Sequence, residues 1–271
     1  MMMVRCLAAA GASALILAAN PVAAVAQTAP PPDRLASFAD IADHVLAAPL
    51  IVRASIARTA PQRAAGAAPP GRVRLAVTAM VSNPLLAPGP IGASLAFLWD
   101  APAERRGRPP TFKGMEILAF LAPGAGPGTA RLISARAVQP WDPALADQVR
   151  TILADDRSGA VPIITGVSNG FRADGTVPGE SESQFFLTSR DNRPVTLVVQ
   201  NRPGEVRRVA VARGDIIDES AQRVQPGTLL WYRLACFLPA SLPVAAGGDD
   251  PALARDWRDA LASLGPCGRT G

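Results

Sequence analysis

Two glutamates in one polar turn are the side chains with the clearest capacity for chemistry. Glu180 and Glu182 are separated by one residue within the stretch 174–183. Residues two apart in an extended chain point to the same side, so the two carboxylates are expected to share one face. Paired carboxylates bind a cation or act as acid and base in glycoside hydrolysis. The alternative is that they are charged residues protecting an exposed strand edge.

A second acidic group lies in the run Asp215-Ile216-Ile217-Asp218-Glu219. In a carboxylate-dependent hydrolase, Asp218 or Glu219 would be the residue of this run that joins Glu180 and Glu182. The run lacks the glycine and the ligand spacing of a calcium-binding loop. The sequence therefore predicts no metal site and no cofactor, and capping of a turn is the simpler role for these acids.

The composition limits nucleophilic triads and zinc sites. The chain has one histidine, His44, so a Ser-His-Asp triad, a Cys-His pair or a zinc site would have to use it. His44 falls on or beside a predicted helix, where a single histidine is expected to be a partly exposed surface residue. His44 alone therefore does not indicate catalysis.

The first 26 residues have the pattern of a secretory signal peptide. A basic start at Arg5 is followed by an uncharged apolar run and by the cleavage signal Ala24-Val25-Ala26. A proline-rich linker follows at 27–32. The alternative of an uncleaved membrane anchor is disfavoured by Asn20-Pro21, which interrupts the run. The sequence therefore predicts a periplasmic or secreted protein, with membrane contact only through an uncleaved leader.

Two cysteines, Cys236 and Cys267, remain after removal of the leader. Because an exported chain meets an oxidising compartment, we expect them to form a disulfide. The bond would join the C-terminal helix to the segment Leu229–Leu238, the densest apolar and aromatic stretch of the mature chain. We interpret that segment as core around the disulfide, with a cofactor or lipid pocket as the alternative.

The predicted elements divide the mature chain into two β-rich parts. Residues 33–140 hold an initial helix and five short strands, which predict a small barrel or sandwich. Residues 141–271 begin with a helix at Asp142-Pro143, continue with an antiparallel meander, and end with a helix at Asp250-Pro251. The predicted fold class is α+β, antiparallel and β-rich, with peripheral helices. Whether this makes one domain or two stays open.

The charge pattern does not indicate nucleic-acid binding. The net charge of +5 is mild for 271 residues. The cluster Arg105, Arg106 and Arg108 lies among glycine and proline, without interleaved aromatic residues that could stack on bases. We therefore expect no nucleic acid as a partner. An unidentified protein or a component of the cell envelope is the expected partner.

Three segments in order resemble uncharacterised exported proteins of alphaproteobacteria. They are Gly179-Glu180-Ser181-Glu182, the acidic turn 215–219 and Leu229–Leu238, and the resemblance covers residues 30–245. It implies export and a shared fold, without an assigned activity or catalytic residues. The leading interpretation is a non-catalytic periplasmic protein that binds a ligand or assists a partner. The alternative is a glycosidase-like, carboxylate-dependent hydrolase acting on a cell-envelope polymer.

Overall fold

The computed structural model describes residues 36–62, 66–103, 111–214 and 221–270. These residues form four α-helices and ten strands in two sheets, and every strand pair in the sheets is antiparallel. The predicted α+β, β-rich class is therefore confirmed. The predicted signal peptide, 1–26, and linker, 27–32, lie outside the described residues.

The first sheet contains six strands in the order β3-β2-β1-β4-β5, with β6 also paired to β4. Alternation of buried and exposed residues along β2 follows the period of two that predicted this strand, and β3 shows the same alternation. Two strands are only three residues long. The strands are β1 Leu50–Pro61, β2 Arg72–Leu86, β3 Ser94–Pro102, β4 Glu116–Pro123, β5 Ala130–Leu132 and β6 Val138–Pro140.

The first sheet curls around its own hydrophobic cluster, which includes Val77, Phe97, Trp99 and Ile117. Its two edge strands meet at one isolated bridge, where the N–H of Ala96 donates to the carbonyl of Gly128 over 2.8 Å. One bridge does not make a ladder, so the described strands form an open, curled sheet and no closed barrel.

The second sheet is a four-stranded meander in the order β10-β9-β8-β7. Its last three strands in the sequence were predicted, and β7 was not. Gly166, Asn169 and Gly170 interrupt the hydrophobic pattern of β7, and its pairing with β8 contains two register shifts. The strands are β7 Ile164–Asp174, β8 Ser181–Ser189, β9 Val195–Asn201 and β10 Arg208–Ala212.

The helix starts are fixed by polar side chains. Asp142 and Asp250 accept hydrogen bonds from the first turns of their helices, each followed by proline, as their sequence pattern predicted. Ser37 and Asp40 form a reciprocal capping box at the first helix. The helices are α1 Phe38–Ala47, α2 Pro143–Ser158, α3 Leu229–Ala235 and α4 Pro251–Leu264, with a short 3-10 turn at Val244–Ala246.

One large hydrophobic cluster connects the two sheets through the helices. It includes Phe120 of the first sheet, Phe185 of the second and Trp257 of α4, and all four helices contribute to it. The rings of Phe185 and Trp257 pack edge to face with centroids 5.1 Å apart. The sheets fall on either side of residue 140 and share this core, and the division into the parts 33–140 and 141–271 stays a prediction. No helix of the described ranges is long and apolar enough to cross a membrane.

Candidate functional site

The structure brings Glu180 and Glu182 to one shallow cleft. Glu180 ends the turn before β8, and Glu182 lies in β8 opposite Gln200. Both residues line a cleft of about 320 Å³ that also includes Asp174 and Arg202. Glu180 lies outside the extended strand, so the two glutamates share this cleft without both belonging to one strand face. Asp218 and Glu219 lie outside the described residues.

The carboxylate of Glu182 is already engaged by neighbouring amides. The Nε2 group of Gln184 donates to one of its oxygens over 2.7 Å, and that of Gln200 donates to the other over 2.8 Å. These bonds form a polar ladder on the surface of the second sheet. Among the described residues there is no group of three or more His, Cys, Asp or Glu side chains placed to hold a metal ion.

His44 is buried, so the expectation of a partly exposed surface residue was wrong. Its side chain stacks near Phe120 with ring centroids 5.2 Å apart, and Nε2 lies 2.7 Å from Oγ of Ser134. Its Nδ1 has no hydrogen-bond partner in the described part of the chain. Burial lowers the pKa of His44, although Asp40 and Asp43 oppose that change. His44 is therefore packed on the first sheet with a pKa below the ordinary value of 6.5.

The end of the chain is bound to α1 and α3. We call residues 266–270 the tail. The structure joins Cys236 and Cys267 in the predicted disulfide, with Cα atoms 4.8 Å apart. Arg269 donates from Nε and Nη2 to the two oxygens of Asp43 over 2.7 and 2.9 Å. The backbone N–H of Thr270 donates to Asp40 over 3.0 Å. The disulfide was predictable, but these contacts between α1 and residues more than 200 positions away were not.

The tail contacts change the acidity of Asp40. Burial alone would raise its pKa, but hydrogen bonds from Thr270 and Ser37 together bring the pKa below the ordinary value of 3.8. A carboxyl group whose pKa is lower in the folded than in the unfolded state stabilises the fold at pH values above the unfolded pKa of 3.8. This contribution is lost as the pH falls through the lower, folded pKa. Asp40 therefore makes attachment of the tail weaker in acid.

Tyr232 of α3 provides a direct test of the polar contacts among Asp43, Tyr232 and Arg269, which we call the Asp43 cluster. Burial raises its pKa to about 12, and the hydrogen bond that its hydroxyl donates to Asp43 over 2.5 Å adds to the shift. The neutral form of Tyr232 therefore stabilises the folded state relative to the unfolded state. A raised pKa gives stability that is complete below pH 10, the unfolded value, and is lost as the pH rises through 12.

We expect the ultraviolet absorbance of tyrosinate to titrate near pH 12 in the folded protein and near pH 10 in denaturant. Tyr232 is the only tyrosine, so the signal belongs to it alone. In Asp43→Asn the pKa should fall while staying above 10, because burial is the larger cause. Titration of folded protein at pH 10 would contradict the buried, hydrogen-bonded position of this side chain.

A second cleft, which we call the Arg190 cleft, is lined in part by Tyr232 and combines apolar walls with arginine. Its volume is about 370 Å³. Leu46 and Phe237 line it with 38% and 48% of their surface exposed, so large apolar side chains face solvent there. The lining residues are Leu46, Asp156, Ile163, Ile164, Arg190, Tyr232, Arg233 and Phe237.

The two arginines of the Arg190 cleft are in different electrostatic states. Arg233 is 4% exposed, and its guanidinium binds Asp156 and the carbonyl of Val161. Arg190 is exposed, and it forms no ion pair with any residue that the structure describes. Because Asp156 offsets Arg233, the cleft lining carries one net positive charge, and it belongs to Arg190.

Sequence reasoning did not find the Arg190 cleft as a site. Its lining comes from α1, α2, the start of β7, the turn after β8, and α3 with the residues following it. Only the concentration of apolar residues in Leu229–Leu238 pointed to it, through the alternative of a lipid pocket. No protein-family model matches the chain, and no curated protein is significantly similar to it.

Proposed function

We propose that the protein is an exported, non-catalytic binding protein and that the Arg190 cleft is its ligand site. The observation that carries this proposal is the combination of exposed apolar side chains, Leu46 and Phe237, with an arginine that lacks an acidic partner among the described residues. Exposed apolar surface costs free energy in water, and its concentration in a concave site is typical of ligand binding.

The surroundings of the cleft support a preformed site. Tyr232 and Phe237 pack edge to face with ring centroids 5.4 Å apart. The guanidinium of Arg269 lies over both rings, 5.6 and 5.0 Å from their centroids, and the disulfide fixes Cys236 next to Phe237. A ligand would therefore meet a wall whose side chains are already held in place, which reduces the entropy lost on binding.

A neutral apolar dye, N-phenyl-1-naphthylamine, tests the proposal because its fluorescence rises in apolar sites. We expect saturable binding of one dye per chain, weakened about tenfold in Leu46→Gln, since a buried apolar contact is replaced by an amide. Leu98→Gln is the matched control, because Leu98 is 46% exposed and lies in β3 outside this cleft. Absence of saturable binding, or equal losses in the two variants, would reject the cleft as the ligand site.

Export is the second part of the proposal, and it rests on the leader pattern and on the disulfide. The mature chain is expected to begin after Ala26. Intact-mass measurement of protein recovered from the periplasm or the medium checks this, and a mass that retains residues 1–26 would contradict it. The resemblance to exported alphaproteobacterial proteins points in the same direction.

The glycosidase-like alternative has one supporting observation, the cleft shared by Glu180 and Glu182. It ranks second because both oxygens of Glu182 already accept hydrogen bonds from the amides of Gln184 and Gln200, which a substrate would have to displace. Release of reducing sugar from purified cell-wall glycan, with its loss in Glu180→Gln, would reverse this order.

A further inference from the structure

We infer that the Arg190 cleft takes a medium-chain fatty acid, with the carboxylate on Arg190 and the aliphatic chain along the apolar walls. This inference rests on the proposed function and names its ligand class. Three properties of the cleft carry it: the sign and size of its charge, the nature of its walls, and the way the turn that holds Arg190 is fixed.

The charge of the cleft selects a monoanion. Arg233 and Asp156 neutralise each other, and Arg190 is left as one exposed cation. A guanidinium presents its N–H groups in a planar fork that matches the two oxygens of a carboxylate. Because Arg190 is exposed, an anion can bind it from solvent without first displacing an acidic partner from any described residue.

The walls of the cleft select an aliphatic body. Leu46, Ile163 and Ile164 supply branched aliphatic side chains. The two aromatic residues, Tyr232 and Phe237, already pack on each other and under Arg269, so their ring faces are partly occupied. The volume of about 370 Å³ is at the lower end of the range of roughly 300–1,000 Å³ for small-molecule sites. A cleft of this size fits the alkyl chain of a medium-chain fatty acid better than it fits a segment of a folded protein.

The turn between β8 and β9 holds Arg190 beside the apolar wall. The backbone N–H of Arg190 donates to the carbonyl of Ile163 over 2.9 Å. The same turn is closed by the hydroxyl of Ser189, which donates to the carbonyl of Arg193, and by Asn192, whose φ is 55°. The cationic residue is therefore anchored next to the start of β7, where one wall of the cleft begins.

Displacement of the neutral dye by decanoate tests the inference on the full chain. We expect decanoate to displace the dye at concentrations at least tenfold lower than decyltrimethylammonium, which has the same alkyl chain and the opposite charge. In Arg190→Gln the dye should lose much less affinity than decanoate, because the dye is neutral and makes no ion pair with the guanidinium. Decanoate should bind about tenfold more weakly to that variant.

Arg193→Gln is the matched control for the arginine. Arg193 belongs to the same turn, pairs with Asp191, and does not line the Arg190 cleft. We expect this variant to bind decanoate normally. Equal losses in the Arg190 and Arg193 variants would show that general positive charge, and not the cleft, attracts the anion.

The failures of the two proposals are distinguishable. If the dye binds one to one and decanoate fails to displace it, the fatty-acid inference is wrong and the binding function stands. If the peptide Ala-Ala-Leu with a free C-terminus displaces the dye better than decanoate, the ligand is a chain end and the inference is also overturned. If neither the dye nor decanoate binds, by fluorescence and by calorimetry, both proposals fail.

Discussion

Replacing Asp256 with alanine is expected to lower the free energy of unfolding by about 3 to 5 kcal/mol. Asp256 lies in α4 and is 2% exposed. It accepts a hydrogen bond from Ser183 of β8 over 2.6 Å, and Arg172 of β7 donates to the same oxygen over 2.5 Å. Its removal leaves a buried hydroxyl without an acceptor and an arginine without its buried counter-ion.

The chain contains a matched control on the same helix. Asp259 also lies in α4, and it pairs with Arg207, which precedes β10. Both of these side chains are 36% exposed. Water already solvates both charges there, so Asp259→Ala should cost less than about 1 kcal/mol. Urea unfolding with linear extrapolation measures both variants. Similar small losses would show that the Asp256 contacts do not hold α4 to the sheet.

Loss of the disulfide is expected to cost about 3 to 4 kcal/mol. The bond closes a loop across a sequence separation of 31 residues, and the chain-entropy relation gives this magnitude for such a loop. The double variant Cys236→Ser/Cys267→Ser should therefore unfold at lower denaturant concentration than the oxidised protein. Hydrogen exchange should also show the amide of Thr270, which donates to Asp40, losing protection.

Arg269→Gln separates the covalent bond from the polar contacts of the tail. It keeps the disulfide and removes the ion pair with Asp43, in which both side chains are 38% exposed. We expect a loss below about 1 kcal/mol. The meander of the second sheet should keep its protection in both variants. Early exchange of β8 and β9 after reduction would contradict the view that the disulfide acts on the C-terminal region.

Much of the fold was predictable because local patterns determined it. Asp142-Pro143 and Asp250-Pro251 place a side-chain acceptor and a donor-free residue where a helix begins, and both helices start there. The sequence pattern did not predict β7, because tertiary contacts determine which residues this strand contains. A Cβ on Gly170 would lie 2.8 Å from the carbonyl of Ala246, so packing excludes the apolar residue that an alternating pattern would require.

The two clefts also differ in how far local sequence determines them. The spacing of Glu180 and Glu182 is local, and both residues line one cleft. The Arg190 cleft depends on which segments pack together, and neither Arg190 nor Leu46 is distinctive within its own stretch of sequence. His44 was misjudged for a related reason, because its burial against Phe120 follows from the docking of α1 on the first sheet.

The two ends of the described chain meet at one carboxylate. The backbone N–H of Ser37 and that of Thr270 both donate to Asp40, over 2.9 and 3.0 Å. Chains whose ends adjoin tolerate circular permutation when the new opening falls in an exposed turn. A short peptide linking 270 to 36, with new termini at the exposed turn 202–205 between β9 and β10, would keep every strand of both sheets whole and leave the turn that holds Arg190 closed.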